Sequence, residues 1–217
     1  MSERPISNLE QRKFWNEERG YIWVSEQEKI ENLVGPLGDH CIKYLDARLG
    51  ETILDIGCGT GTTTLQISRL VGGAGKVTGL DLSGVMLELA SKRAEKKQYK
   101  NIEFREADAQ TYKFQHDSFD AIFSRFGVMF FDQPEKAFRN LYKSLKTGGR
   151  LALVCWADRE ENDWINVSSK IASKFVELPL PSEPRSSGPF AFEDRTYLNA
   201  ILSKTGWKNI SFKRYIS

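Results

Sequence analysis

The chain has 217 residues, 40% of them hydrophobic and 28% charged, with a formal net charge of +2. That length suits one full-sized domain with an added lobe, and so even a charge balance gives no reason to expect a nucleic-acid partner. No apolar run approaches the roughly 18 residues of a membrane span, and the polar start Met1 to Gln11 lacks a signal-peptide core. Cys41, Cys58 and Cys155 show no disulfide framework, and His40 and His116 are isolated, so no metal site is visible. The reading is a reduced, cytoplasmic protein.

Residues 1–48 read as an N-terminal helical cap. Trp15, Tyr21 and Trp23 punctuate a charged segment, and Gly35-Pro36 separates it from a second amphipathic stretch bearing Cys41, Tyr44, Leu45 and Leu49. Residues 49–157 read as the core. Thr52 to Ile56 is a buried strand, and Thr62 to Val71 a helix stopped by Gly72-Gly73-Ala74-Gly75. Lys76 to Leu80 is the next strand, after which Ser83 caps a helix carrying Val85, Met86, Leu89 and Ala90. The basic stretch Lys92 to Lys100 suits that helix's carboxyl end as a solvated face. Asn101 to Arg105 and Phe119 to Ser124 are further strands. Asp132 and Glu135 have capping-box spacing around Pro134, opening a helix that Gly148-Gly149 ends before a strand from Arg150 to Trp156. Strands and helices alternating through short connections predict the α/β class, a doubly wound, mostly parallel sheet with helices on both faces. Residues 158–217 complete the same domain as a substrate or lid region. They comprise a helix from Asn162 to Val176, an irregular proline-rich loop from Leu178 to Phe192, a helix capped by Asp194, and a strand from Ile210 to Ile216.

The strongest chemical signal is Ile53-Leu54-Asp55-Ile56-Gly57-Cys58-Gly59-Thr60-Gly61. A buried strand runs into alternating glycines, which let backbone amides approach a ligand, and a helix follows. Ligands in open α/β sheets settle beyond the carboxyl ends of the strands, so this turn suits a nucleotide-like ligand. Asp81, at the end of the next strand, can accept hydrogen bonds from both ribose hydroxyls; its bland alternative is an acid at a helix start. The pattern is G-x-G-x-G, with Thr62 where a dinucleotide fingerprint needs its third glycine, and Gly75-Lys76-Val77 is no phosphate loop. Ala107-Asp108-Ala109-Gln110 follows the third strand, where Asp108 can accept from an adenine amino group.

Taken in order, Asp55 to Gly61, then Gly79-Leu80-Asp81-Leu82-Ser83, then Ala107 to Gln110, then Phe119-Asp120 resemble the motifs of the class I S-adenosylmethionine-dependent methyltransferases. The match is to the small-molecule branch that includes the ubiquinone/menaquinone-biosynthesis enzymes, and it covers Leu49 to Trp156. The resemblance implies S-adenosylmethionine as cofactor and methyl transfer to a small-molecule acceptor. It implies that Gly57, Cys58, Gly59 and Gly61 wrap the methionine portion, with Asp55 reaching its amino group through water. Asp81 would hold the ribose, Leu82 and Met86 flank the adenine, and Asp108 and Ala109 read its edge. Ser124, Arg125 and Phe126 would lie beside the sulfonium and the acceptor.

Arg125 reads equally as an ion pair on a strand end, while Phe126, Met129, Phe130 and Phe131 read as core. Cys58 reads as an apolar filler, since nothing nearby activates its thiol. Trp15 and Trp23 would close over the acceptor or simply pack against the sheet. No catalytic base is assigned, His40 and His116 being candidates by type alone. Methyltransferases of this class end in two late strands, so either the chain is shortened or the sheet is incomplete, with an open edge and an altered acceptor site. The alternatives are a nicotinamide-dependent oxidoreductase and a non-catalytic cofactor-binding protein.

Overall fold

The computed structural model describes residues 8–178 and 183–216. Three helices come first, α1 Leu9–Asn16, α2 Glu18–Ser25 and α3 Gln27–Leu45. The core follows as β1 Thr52–Ile56, α4 Thr62–Val71, β2 Lys76–Asp81, α5 Gly84–Lys96, β3 Ile102–Glu106, β4 Phe119–Arg125, α6 Pro134–Ser144 and β5 Leu145–Val154. Helices α7 Asp163–Ala172 and α8 Arg195–Lys204 complete the order. The strands form one sheet in the order β3-β2-β1-β4-β5, every pairing parallel. This is the doubly wound sheet that the alternation predicts.

Alternate strand residues feed two cores. Ile53, Val77, Ala121 and Phe123 pack with Ile42 and Leu45 of α3 and Ile67 of α4 on one face. Leu54, Ile56, Leu80 and Ile122 pack with Phe138 of α6 and Leu198 of α8 on the other. The chain steps outward from β1 through β2 to β3, then returns to the opposite side of β1 as β4. Beyond the carboxyl ends of β1 and β4 the connections diverge, and a crevice opens there.

Several elements differ from expectation. Helix α3 runs unbroken through Gly35 and Pro36. An interior proline costs about 3 kcal/mol, and the burial of Gly35, Gly38, Ile42 and Leu45 on one α3 face outweighs it. At α6 the residue before the helix is Gln133, with no side-chain cap, so the Asp132–Glu135 capping box does not form; Pro134 does occupy the first turn. Strand β5 starts at Leu145 rather than Arg150, since Leu145 pairs with Phe119 before a register shift brings Arg150 opposite Ala121. The helix expected over Asn162 to Val176 ends at Ala172. Pro179 and Pro181 of the proline-rich loop lie outside the described residues. Ile210 to Ile216 forms no strand; Tyr215 stacks on His40 and Lys213 sits over the Tyr44 ring, so side-chain packing on α3 holds this tail.

Candidate functional site

At the end of β1, Gly57, Gly59 and Gly61 adopt φ of +65°, +54° and +81°. A Cβ on Gly57 would stand 2.5 Å from the Gly127 Cα, so the loops leaving β1 and β4 touch backbone to backbone. Gly61 serves packing instead: its Cβ would meet the Ala90 Cβ at 2.9 Å, and the residue lies behind the crevice wall. Asp81 is the clasp of this region. One carboxylate oxygen accepts from the Gly59 amide at 2.8 Å and the other from the Ser83 amide at 2.9 Å. Burial raises its pKa against the opposing pull of those amides.

Asp55 is fully buried and also stands behind the crevice. One oxygen accepts from the Thr63 and Thr64 hydroxyls, both at 2.7 Å, while the other has no partner. Burial pushes its pKa up to about 6 despite the two hydroxyls. Ser124 likewise does not line the crevice; its hydroxyl donates to the Ile56 carbonyl at 2.7 Å and ties β4 to β1. Cys58 lines the crevice, but burial, then Asp81 and Asp55, hold its thiol well above the ordinary range, as an apolar filler would be. On the β3 side, Asp108 accepts from the amide of Gln110 at 2.9 Å and from its side chain at 3.3 and 3.2 Å.

Arg93 departs from the solvated-face reading of its stretch. It turns inward and donates to the Thr60 carbonyl at 2.6 Å and the Thr62 hydroxyl at 3.0 Å, steadying the glycine loop.

The cap helices close the crevice. The Asn16 side-chain amide donates to the Leu82 carbonyl and accepts from the Gly84 amide, both at 2.8 Å, and the Ser83 hydroxyl donates to the Trp15 carbonyl at 2.6 Å. Ser83 also accepts from the Met86 amide, the expected helix cap. Gly20 lets α2 pass, since a Cβ there would lie 2.1 Å from the Trp15 carbonyl oxygen. From α3, Glu31 binds Arg125 at the end of β4 through two contacts of 2.5 and 3.0 Å.

The result is one cleft of about 1030 Å³, counting space open to solvent. One half is walled by Gly57, Cys58, Gly59, Asp81, Leu82, Met86, Asp108 and Ala109. The other is walled by Trp15, Trp23, Ile30, Glu31, Arg125 and Phe126, with Phe130 and Phe131. Those last three phenylalanines therefore do more than fill the core, whereas Met129 is core alone. Phe126 takes a left-handed φ of +64° and stacks on Trp156 with ring centroids 4.4 Å apart. A non-glycine residue in that region is a strained one. Tyr21 is exposed, His116 faces solvent, and His40 packs between Tyr44 and Tyr215, away from the cleft. Glu31, Gln27, Gly127 and Asn16 escaped the sequence reading, because nothing local marks them.

A methyltransferase-domain family model matches residues 53–149. The demethylmenaquinone methyltransferase of Lactococcus lactis is 37% identical over 113 residues, 52% of this chain and 45% of that protein. The ubiquinone/menaquinone biosynthesis C-methyltransferase UbiE of Cronobacter sakazakii is 30% identical over 176 residues, 76% of this chain and 69% of its own length. The chain belongs to the class I S-adenosylmethionine-dependent methyltransferases, among the relatives of UbiE. The cofactor of this methyltransferase family is S-adenosylmethionine. A methyltransferase from Aquifex aeolicus shares the fold, with a TM-score of 0.59 over 78% of each chain at 22% identity. Against the Lactococcus relative, the matched stretch of this methyltransferase spans under half of that protein.

Proposed function

We propose that the protein transfers a methyl group from S-adenosylmethionine to a small-molecule acceptor held in the aromatic half of the cleft. One observation carries this reading: a single cleft joins the glycine loop and Asp81 to the Trp15, Trp23 and Phe130 walls. The residues fit the cofactor. Gly57 and Gly59 leave a side-chain-free cradle, and Asp55 keeps a buried oxygen without a partner, which suits an ammonium group reached through water. Asp81 faces the cleft between the two loops that it binds and would take the ribose hydroxyls. Leu82 and Met86 would flank the adenine. The Gln110 amide fixes the Asp108 carboxylate, leaving it capacity for the adenine amino group, with Ala109 beside it.

The bound sulfonium supplies an electrophilic methyl, so the protein's task is alignment and exclusion of water. Ser124 holds the β4 end in place, which sets Arg125 and Phe126 against the acceptor space. Gly61 supports the loop from behind. Trp15 and Trp23 roof the reacting centre. We read residues 1–48 as the cap, 49–157 as the cofactor-binding core and 158–217 as the part completing the substrate side. No helix among the described residues is long and apolar enough to cross a membrane. The three cysteines are free, which suits a reducing compartment, and we place the enzyme in the cytoplasm without a nucleic-acid partner.

Calorimetric titration with S-adenosylhomocysteine and with NADH tests the cofactor assignment, and S-adenosylhomocysteine is expected to bind alone. Turnover of labelled S-adenosylmethionine across phenols, amines and carbon acids then tests transfer. Tight NADH binding without S-adenosylhomocysteine binding would overturn the reading.

A further inference from the structure

The acceptor half of the cleft holds an ion pair that is already complete. Arg125 and Glu31 meet through both terminal nitrogens and both carboxylate oxygens, with side chains only 15% and 22% exposed. Helix α3 is cut to seat them. A Cβ on Gly35 would lie 3.0 Å from the nearer Glu31 oxygen, and one on Gly38 would lie 2.9 Å from the Arg125 Cδ. Gly35, which reads in sequence as part of a helix break, thus forms with Gly38 the groove in which this pair lies.

The charged residues lining the cleft are Glu31, Asp81, Asp108 and Arg125. With Arg125 matched by Glu31, no lining cation remains among the described residues for an incoming anion, and the two aspartates repel it. The remaining walls on this side are Trp15, Trp23, Phe126 and Phe130.

We infer that Glu31 determines specificity for acceptor charge. By occupying Arg125 it excludes anionic acceptors and restricts the site to an uncharged, flat, apolar molecule. The inference rests on the methyl-transfer reading and deepens it. Specificity is here achieved by a group that refuses the wrong ligand, since an anion must either displace Glu31 or remain unpaired beside it.

The test uses benzamide and benzoate, flat probes differing in charge, titrated into protein saturated with S-adenosylhomocysteine. Wild type is expected to bind benzamide about tenfold or more tightly than benzoate, since one unpaired buried charge is worth at least that factor. Glu31→Gln keeps the side-chain shape and should invert the preference by freeing the Arg125 charge. Adding Arg125→Gln to that variant should cancel the benzoate gain. A wild type that prefers benzoate overturns the inference, as does a Glu31→Gln preference unchanged within about twofold. Loss of S-adenosylhomocysteine binding in Glu31→Gln also overturns it, because the pair would then serve the cofactor. Wild type that fails to bind S-adenosylhomocysteine refutes the methyl-transfer reading itself, a result distinct from all of these.

Discussion

Replacing Asp81 by alanine separates its two roles. In the free protein the carboxylate accepts from the Gly59 and Ser83 amides, so the variant leaves two backbone donors without their acceptor. Hydrogen bonds to a charged group contribute about 1.5–3 kcal/mol each. Asp81 is itself costly to bury, as its raised pKa shows, so the net loss of folding stability is about 2–3 kcal/mol. The ribose hydroxyls lose their acceptor as well, which weakens cofactor binding by a further ~1–3 kcal/mol, or about 5- to 150-fold. Urea denaturation measures the first effect, and calorimetry with S-adenosylhomocysteine under native conditions measures the second. A 2′,3′-dideoxy analogue closes the cycle: it should bind wild type and Asp81→Ala with equal affinity, because the partner hydroxyls are already absent. A folded Asp81→Ala protein with unchanged S-adenosylhomocysteine affinity would remove Asp81 from the site. If the dideoxy analogue lost as much affinity as the parent, the carboxylate would be shown to act only as a loop clasp.

Asp55 carries a pH signature. Its pKa rises from 3.8 to about 6 on folding, so its stabilising contribution is complete below pH 3.8 and disappears as pH rises through about 6, a change of up to ~3 kcal/mol. Asp55→Asn should flatten this part of the stability curve between pH 4 and 7 in urea titrations, and an unaltered slope would refute the assignment. Gly57→Ala places a Cβ 2.5 Å from the Gly127 Cα at a φ of +65° and should cost about 3 kcal/mol, read as a fall in urea midpoint. Ser83→Ala removes both the α5 cap and the donor to the Trp15 carbonyl, and should cost about 1–2 kcal/mol by the same measurement.

The glycine turn and the carboxylate beside it were legible because backbone geometry demands particular residue types there. A chain that turns through positive φ against another backbone needs glycine, and a clasp for amides needs a carboxylate at the strand end. Gly57, Gly59 and Asp81 therefore announced themselves. The acceptor half was opaque. Glu31 and Arg125 are 94 positions apart, and Asn16 lies 68 before Gly84, so no local pattern connects them. Gly35-Pro36 misled because the rule that breaks isolated helices ignores a partner: here a groove for the ion pair and a buried face keep α3 whole. Gly61 is a motif glycine that packing also demands, since the room for a side chain is taken by Ala90 and Phe104. Ile210 to Ile216 has strand-like composition, but that alone cannot supply the ladder it lacks, and its Tyr215 packs on α3 instead.

The loop from Asp81 to Gly84 links the two halves. Its first residue lines the cleft beside the glycine loop, and its later ones are bolted to α1 through Asn16 and the Trp15 carbonyl. Whatever orders this loop must also order Trp15, which roofs the acceptor space. Filling the cofactor half should therefore raise acceptor affinity, and thermodynamic reciprocity requires the acceptor to raise cofactor affinity by the same factor, about 5- to 150-fold if the coupling is of ordinary size. Asn16→Ala removes two of the three hydrogen bonds of this link, leaving the Ser83 hydroxyl on the Trp15 carbonyl, and touches neither ligand. Binding of benzamide with and without S-adenosylhomocysteine should show strong coupling in wild type and weaker coupling in Asn16→Ala. Equal coupling in both proteins would mean that the two halves communicate by some other route, and that the clasp at Asn16 only holds the cap in place.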